Sequence, residues 1–337
     1  MKIGIHHSKG SFSERWIEYC KQNNIPFKVL NCYDTDIIEQ LVDCDALMWH
    51  HHQTTYKDVL SAKNILFSLE HAGVNVFPDF KTNWHFDDKI AQMYLLQAIN
   101  APLVPSYVFY DRKTAMKWLN ETSFPKVFKL KGGSGSGNVK LASNKKEATK
   151  LINIAFGRGF SQYDKVGNLK DRYRKYKLGK ASLIGLLKGI GRLFIPTLYS
   201  KMVGREKGYA YFQDFIPDNN FDIRVIIVGK HSFAIRRGVR KGDFRASGSG
   251  DIHYNHKDIN LDTIKISFEV NKHIQAQSIA FDYVLYNNKP LIVEISYGYA
   301  VEAYDPCPGY WDKNLKWHEG KFNPQAWMIE DLINTIK

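Results

Sequence analysis

Cysteine is scarce in this chain, and so is any long apolar run. Only four of the 337 residues are cysteines, and no two of them form a C-x-x-C motif. This usage argues against a disulfide scaffold or a cysteine zinc site and predicts a reducing, cytoplasmic location. Lys188 and Arg192 interrupt the most apolar stretch, at 182–199, so it is too short to span a membrane. The N-terminus MKIGIHHSKG lacks the apolar core of a secretory signal.

Acidic residues are outnumbered by basic ones, and the excess is concentrated in one segment. The chain has 47 Lys and Arg against 34 Asp and Glu, a net charge of +13. Residues 157–207 carry thirteen of these cations and three acids, a net charge of +10 in 51 residues. One interpretation is a solvated insertion, and the other is a surface for an anionic polymer or for peripheral contact with the inner membrane face. No nucleic-acid motif accompanies the charge, so nucleic acid is not the favoured partner.

The length and the pattern of apolar residues predict three domains. Strand and helix patterns alternate through residues 1–80, which predicts an α/β domain with a parallel sheet. Residues 81–212 are predicted to form a linking helix at 83–99 and a smaller α+β domain that contains the basic insertion 157–207. Residues 213–337 read mostly as strands, with a helix at about 267–278, and form a larger domain that ends in an aromatic C-terminal lobe.

A glycine-rich loop, GGSGSG at 132–137, lies between two predicted strands. It departs from a Walker A loop, which leads from a strand into a helix and ends in Gly-Lys-Ser/Thr. Glycines let backbone N–H groups close over phosphates, although glycine-rich hairpins are also common as simple turns. Lys129 precedes the loop on an apolar strand, where a cation needs an anionic partner. Asp282 and Glu294 lie on two neighbouring strands, and such a carboxylate pair is costly unless a cation joins it.

Together these elements resemble the ATP-grasp superfamily, and most closely its branch of RimK-like glutamate ligases that act on ribosomal protein. The resemblance rests on seven motifs in the family's order, DDK at 87–89, FPKVFKLKGGSGSG at 124–137, FQDFIP at 212–217, FDIRV at 221–225, GDFRASGSG at 242–250, AFDYVLY at 280–286 and LIVEIS at 291–296. It implies an α/β (α+β) fold in which an N-terminal α/β domain precedes two subdomains that grip ATP. It also implies a ligase that uses ATP and two magnesium ions to join a carboxylate to an amine through an acyl-phosphate.

The resemblance assigns roles to individual residues. It implies ATP contacts for two lysines, the glycine-rich loop, a hinge strand and a ribose-binding aspartate, namely Lys89, Lys129, Gly132, Gly133, Ser134, Gly135, Ser136, Gln213, Asp214, Phe215, Ile216 and Asp222. Three arginines would neutralise the transferred phosphate, namely Arg224, Arg237 and Arg245. Magnesium would be held by Asp282, by Glu294 as the bridging ligand, and by Ser296.

Two positions depart from the family pattern. The family usually has Asn where this chain has Ser296, and the glutamate-ligase branch has Asn at Ser247. A hydroxyl is a weaker magnesium ligand than an amide carbonyl, so the second metal position and the substrate pocket are affected. Taken singly, the assigned residues also fit ordinary roles, such as a turn cap for Asp222 or surface ion pairs for Arg224 and Arg237. The order of the motifs favours the functional interpretation.

Two further groups of side chains are candidates for substrate contact. His50, His51 and His52 follow a predicted strand end, which predicts a polar loop facing the substrate. Zinc binding by His50 and His52 is the weaker alternative, because no acidic or cysteine partner is evident. The C-terminal aromatic residues either pack a lobe or form a wall that stacks on a sugar or a peptide, namely Tyr297, Tyr299, Tyr304, Trp311 and His318.

The substrates are less defined than the reaction. We expect a small-molecule amine and a carboxylate acceptor, and the basic insertion favours a uronic-acid-containing surface glycan. A protein or peptide acceptor is the alternative within the ligase class. A nucleotide-binding module that uses the basic segment to hold nucleic acid or membrane, without ligase activity, is the alternative of a different class. A homodimer is one candidate for the oligomeric state.

Overall fold

The computed structural model describes residues 1–133, 138–161, 198–240 and 242–336, with single positions between 169 and 191. Ser134, Gly135 and Ser136 and most of the basic insertion therefore lie outside the described residues. The chain forms two compact units, one of residues 1–86, 91–103 and 216–337, the other of residues 87–90 and 104–215. The predicted boundaries after residues 80 and 212 stay a prediction, since compactness alone does not define a domain.

The first 83 residues form the predicted α/β arrangement. Strands and helices alternate as β1 (Ile3–His6), α1 (Phe12–Gln22), β2 (Phe27–Leu30), α2 (Ile37–Gln40), β3 (Ala46–Met48), α3 (Tyr56–His71), β4 (Asn75–Phe77) and α4 (Phe80–Asn83). The sheet order is β2-β1-β3-β4, and every pairing is parallel. Ser11 caps α1 through its hydroxyl oxygen, which accepts from the backbone of Ser13 at 3.1 Å. The predicted parallel sheet is confirmed.

The linking helix is shorter than predicted. The sequence predicts a helix over 83–99, whereas α5 spans Lys89–Ala98. Asp87 has a φ of +56°, a left-handed backbone conformation that a continuous right-handed helix does not accept. The DDK motif therefore lies at the break before the helix, and Lys89 is the first residue of α5.

The unit around residues 104–215 is built on a four-stranded antiparallel sheet. Its elements are β5 (Ser106–Phe109), α6 (Arg112–Trp118), β6 (Lys126–Lys129), β7 (Val139–Ala142), α7 (Lys145–Ala155), β8 (Phe160–Ser161), α8 (Leu198–Val203), β9 (Arg205–Glu206) and β10 (Ala210–Asp214). The sheet order is β5-β10-β6-β7, and β8 pairs with β9 separately. Helix α7 was not predicted from the sequence; it is capped by Asn144 and buries Ala148, Leu151 and Ile152 against Phe128 of the sheet.

A larger antiparallel sheet follows in the other unit. Its elements are β11 (Phe221–Val228), β12 (His231–Gly238), β13 (Ile252–His253), α9 (Leu261–Ile274), β14 (Ser278–Tyr286), β15 (Lys289–Ser296), β16 (Gly309–Asp312), β17 (Trp317–Glu319) and α10 (Pro324–Ile336). The order is β15-β14-β11-β12-β16-β17, and β13 pairs with β12. The helix predicted at 267–278 was misplaced. Asn260 caps α9 early, and Gln275 ends it with a φ of +60°, so that Ser278 already begins β14.

One hydrophobic core joins the N-terminal α/β segment to this larger sheet. Phe12 and Trp16 of α1 pack in the same buried cluster as Phe233 of β12 and Ile329 of α10. The segments 1–86 and 216–336 are therefore continuous in space although 129 residues separate them in the chain. Among the helices of the described residues, none has both the length and the apolar character needed to cross a membrane.

Candidate functional site

Asp282 and Glu294 are direct partners across two antiparallel strands. Asp282 of β14 lies opposite Glu294 of β15, and the register shifts immediately after Asp282. Side chains of opposite residues project to the same face of a sheet, a few ångströms apart. Both residues are partly exposed. The two carboxylates that the sequence places on neighbouring strands are therefore brought side by side.

Two arginines extend this face across the next strands. Arg224 of β11 lies opposite Asp282, and one of its terminal nitrogens is 3.5 Å from the Asp282 carboxylate. Arg237 of β12 lies opposite Asp222 and donates to both of its carboxylate oxygens, at 2.7 and 2.6 Å. A terminal nitrogen of Arg237 is also 3.1 Å from Asp282 Oδ1. The Arg237 guanidinium thus bridges two aspartates, one of which is a predicted magnesium ligand.

Burial and the pairing of opposite charges act against each other in this bridge. Burial lowers the pKa of Arg237, but the Asp282 and Asp222 carboxylates outweigh it, so the pKa ends above the ordinary arginine value. Burial raises the pKa of Asp222, while Arg237 opposes that shift. Burial also raises the pKa of the neighbouring Tyr304 to about 12, against the effect of Arg224 and Arg237. A desolvated cation remains stable here because two carboxylates pair with it.

Ser296 and Arg245 have partners within their own segments. The Ser296 hydroxyl donates to the carbonyl of Gly298 at 3.0 Å, and this carbonyl also accepts from Arg224 at 3.5 Å. Ser296 lies two residues after Glu294 on the same strand, so both project to one face. Arg245 forms a bidentate pair with Asp243, two residues earlier, at 2.6 to 3.0 Å. The serine can still accept a bond through its lone pairs, because it is the donor in the observed one.

The acidic pair fits magnesium better than a metal held by protein ligands alone. Across the described residues, His50 and His52 included, no three His, Cys, Asp or Glu side chains form a group that could hold a metal ion. Zinc requires such a set, so the zinc alternative is not supported. Magnesium is usually held by one or two carboxylates together with waters and substrate phosphates. Asp282 and Glu294 supply that number of carboxylates.

The strand lysine is buried in the unit of residues 87–90 and 104–215. Lys129 is only 4% exposed, and its ammonium donates to the side-chain oxygen of Gln213 at 2.6 Å. The Gln213 amide nitrogen in turn donates to the Ser106 hydroxyl at 3.0 Å. Gln213 pairs in register with Val127, so it shares a sheet face with Lys129 two residues further along the strand. Lys129 and the predicted hinge residue Gln213 are thus brought together.

A second buried lysine on the same strand was missed by the sequence analysis. Lys126 is 4% exposed, pairs with Asp214 at 2.5 Å and approaches the rings of Tyr107 and Trp118. Side chains alternate along a strand, so Lys126 and Lys129, three residues apart, project to opposite faces. Of the predicted hinge, Asp214 ends β10, whereas Phe215 and Ile216 lie beyond it. The cross-strand position of an acid opposite Lys126 was the only available signal, and it needs the register to be known.

The DDK motif and the start of the glycine-rich loop contact each other. The Lys89 ammonium donates to the carbonyl of Gly133 at 2.9 Å, and the Lys89 backbone N–H donates to the carbonyl of Lys131 at 3.0 Å. The Gly133 N–H donates to Asp87 Oδ1 at 2.8 Å. Gly133 has a φ of +100°, which favours glycine because it has no Cβ. Gly132 and Gly133 are described, whereas the next three loop residues assigned to ATP are not.

The histidines predicted to face substrate lie largely in the core. His50 Nδ1 accepts from the Phe12 N–H at 3.0 Å, and His51 Nε2 is 2.8 Å from Asn83 Oδ1. Both are nearly inaccessible, and burial lowers the pKa of His51 to about 3. The prediction of a polar substrate loop was therefore wrong for His50 and His51. The His50 ring stacks on Phe12 of α1, and both histidine rings contact Tyr297, which directly follows β15.

The C-terminal aromatic residues pack the lobe. The Tyr297 hydroxyl donates to the His51 carbonyl at 2.7 Å, and the ring is fully buried. Three further aromatic side chains, Tyr299, Tyr304 and Trp311, are members of hydrophobic clusters. The packed-lobe alternative accounts for these four. His318 is more exposed, stacks on Tyr310 and approaches Asp312 at 2.9 Å.

Comparison with known proteins gives matches in structure only. No protein-family model matches the sequence, and no curated protein matches it. The chain superposes on a RimK domain ATP-grasp protein from Sphaerobacter thermophilus with a TM-score of 0.55 at 12% identity, over 99% of this chain and 100% of that one. The chain has the ATP-grasp fold. The chain also superposes on D-alanine–D-alanine ligase from Bacillus anthracis, complexed with ATP. The TM-score is 0.60 at 12% identity, over 100% of this chain and 98% of that one.

A third match of this fold is the ATP-grasp ligase PsnB, complexed with a minimal precursor, Mg and ADP. It superposes with a TM-score of 0.57 at 10% identity, over 99% of this chain and 98% of that one. At such identities the likeness establishes the architecture, and the predicted ATP-grasp fold is confirmed.

Proposed function

We propose that this protein is an ATP-dependent ligase that joins a carboxylate to an amine. The observation that carries the proposal is the Asp282–Glu294 pair, set in register beside Arg224 and Arg237 on one sheet of an ATP-grasp fold. In the proposed reaction a substrate carboxylate oxygen attacks the γ-phosphorus of ATP, and the bond to ADP breaks. The amine then attacks the acyl carbon, an amide forms, and phosphate leaves.

In this proposal the residues of the sheet bind magnesium and compensate the negative charge of the phosphates. Asp282 and Glu294, with the weaker ligand Ser296, would hold magnesium, which supplies positive charge to the phosphoryl oxygens when bound. Arg224 and Arg237 pair with the aspartates and add two cations to the face. Arg245 would add a third cation, after its guanidinium exchanges Asp243 for the phosphate. Asp222 retains lone pairs for a ribose hydroxyl, because each of its oxygens accepts one bond from Arg237.

Lys89, Lys129 and the loop would bind the phosphates of ATP. Both ammonium groups are buried and hydrogen-bonded to neutral oxygens, those of Gly133 and Gln213. An anionic phosphate is a stronger partner for an ammonium than an amide or carbonyl oxygen. The hinge residues Gln213 to Ile216 would offer their backbone to adenine. Lys126 is already neutralised by Asp214 and is assigned no contact with ATP.

For the acceptor we propose a uronic-acid-containing surface glycan, on the strength of the +10 charge in residues 157–207. The second candidate is a peptide, because PsnB of the same fold was solved with a precursor peptide. Co-sedimentation with an acidic polysaccharide and with anionic vesicles, at low and high salt, distinguishes a charged surface from a solvated insertion. Changing Arg172, Arg174, Lys175 and Lys177 to Gln should reduce capture. The matched control neutralises four exposed lysines elsewhere, Lys113, Lys257, Lys265 and Lys272.

The experiment that tests the ligase itself traps the acyl-phosphate. Hydroxylamine replaces the unknown amine, so a panel of uronic acids, amino acids and acidic peptides can be screened for hydroxamate and ADP. We expect both products with at least one acid, in equal amounts and only with ATP and magnesium. ATP binding without hydroxamate from the whole panel would instead support a nucleotide-binding module without ligase activity.

A further inference from the structure

Three consecutive backbone N–H groups at the entry of the glycine-rich loop donate to carboxylates of the protein itself. The N–H groups of Lys131 and Gly132 donate to the two oxygens of Glu206, at 3.1 and 3.3 Å. The N–H group of Gly133 donates to Asp87 Oδ1 at 2.8 Å. All five residues belong to the same compact unit. The loop entry is thus an anion-binding arrangement of backbone donors that holds two internal anions.

The two carboxylates lie close against the loop. A Cβ atom added at Gly132 would lie 3.1 Å from Asp87 Oδ2 and 3.2 Å from Glu206 Oε1, so the loop passes between them. The left-handed Gly133 turns its N–H toward Asp87, which gives the concave run of donors that binds phosphate in many proteins. Glu206 also accepts a hydrogen bond from the Tyr209 hydroxyl, and this hydroxyl accepts one from the Lys131 N–H at 2.6 Å. These contacts set the carboxylates where phosphate oxygens would bind.

We propose that Glu206 and Asp87 compete with nucleotide phosphate for the N–H groups of Lys131, Gly132 and Gly133, and thereby set the affinity for ATP. The proposal rests on the proposed ATP binding. A carboxylate and a phosphate are both anionic acceptors, so one excludes the other from a donor and repels it nearby. The same two residues therefore weaken triphosphate binding and leave adenosine binding unchanged.

The test uses the full chain and three ligands, namely inorganic triphosphate, ATP and adenosine, titrated calorimetrically with magnesium. Glu206→Gln and Asp87→Asn each remove one negative charge at almost constant shape. We expect either change to tighten triphosphate and ATP binding by roughly three- to tenfold, as for the removal of one like charge near a protein surface. Adenosine affinity should not change. Glu121→Gln, at an exposed glutamate of the same unit, is the charge-matched control and should change none of the three.

The outcomes separate this proposal from the function on which it rests. In one outcome the wild-type protein binds ATP, but neither variant binds triphosphate more tightly than it does. The carboxylates would then support the loop without competing for its N–H groups, which would overturn the proposed competition and leave the proposed ATP binding intact. An equal gain in triphosphate and ATP affinity in Glu121→Gln would show that overall charge causes the effect, and it would overturn the proposed competition as well. Binding of neither ATP nor triphosphate by any of the four proteins would overturn both proposals. Thermal unfolding of each variant confirms that the two independent changes leave the chain folded.

Discussion

The Lys129 ammonium and the Gln213 side-chain oxygen are joined by a 2.6 Å hydrogen bond across β6 and β10. This bond fixes the amine where a phosphate is proposed to bind. We expect Lys129→Ala to weaken magnesium-ATP binding by about 1–3 kcal/mol, the usual loss for a charged hydrogen bond. Calorimetry against Lys140→Ala, an exposed lysine on the next strand, measures the difference. Unchanged affinity in a folded Lys129→Ala protein would remove the lysine from the ATP site.

Glu294 is the proposed bridging ligand, so its charge should matter more than its size. We expect Glu294→Gln to abolish hydroxamate formation while the melting temperature stays close to that of the wild type. The residue is partly exposed and keeps its strand position, so the amide is tolerated. Glu269→Gln, on the exposed side of α9, is the matched control. Near-normal turnover of Glu294→Gln would exclude the bridging role.

Arg237 is expected to be structurally costly to replace. Arg237→Met leaves Asp222 and Asp282 without the cation that they share, and breaking a buried ion pair costs about 3–5 kcal/mol. Urea unfolding measures the loss of stability. Arg236→Met, the adjacent residue whose guanidinium lies over the Phe221 ring, should cost about 1 kcal/mol or less. Similar losses in the two variants would show that the bridge contributes little.

Stability should fall as the pH is lowered from about 6.5 toward 3. Burial lowers the pKa of His51 to about 3, so in this window the unfolded chain binds a proton at His51 that the folded chain does not. Proton binding therefore stabilises the unfolded state relative to the folded state, by up to about 1.4 kcal/mol per pH unit for this group. His51→Gln should flatten the dependence, whereas His273→Gln, at an exposed histidine of α9, should not. Parallel pH curves for His51→Gln and the wild type would contradict this assignment.

The pairing of the acidic residues could be predicted because it depends on local sequence. Asn287 and Asn288 both take left-handed backbone angles and form the two-residue turn between β14 and β15. A two-residue hairpin of this type fixes the register of the strands that it joins. Asp282 and Glu294 then face each other across one bulge. The order of the motifs was likewise sufficient for the ATP-grasp fold.

Other features depend on residues that are distant in the chain. His50 and His51 follow a strand end and read as a substrate loop, but α1 covers His50, and Tyr297, 246 residues away, binds the His51 carbonyl. The carboxylates with which Arg237 pairs could not be predicted from the sequence either, because a strand arginine can pair with any acid that its long side chain reaches. The start of α9 was missed because polar residues surround it, with Asn260 as the cap and Asp262 in the first turn.

The core shared by the first and last segments of the chain has a consequence for the order of synthesis. Phe12 and Trp16 leave the ribosome early, yet their partners Phe233 and Ile329 are translated more than two hundred residues later. Until then the aromatic surface of the N-terminal segment lacks the residues that bury it in the folded protein. Such surface is prone to aggregation in partly made chains. The nascent chain is therefore expected to need protection until α10 emerges, and residues 1–86 made alone would keep this face open.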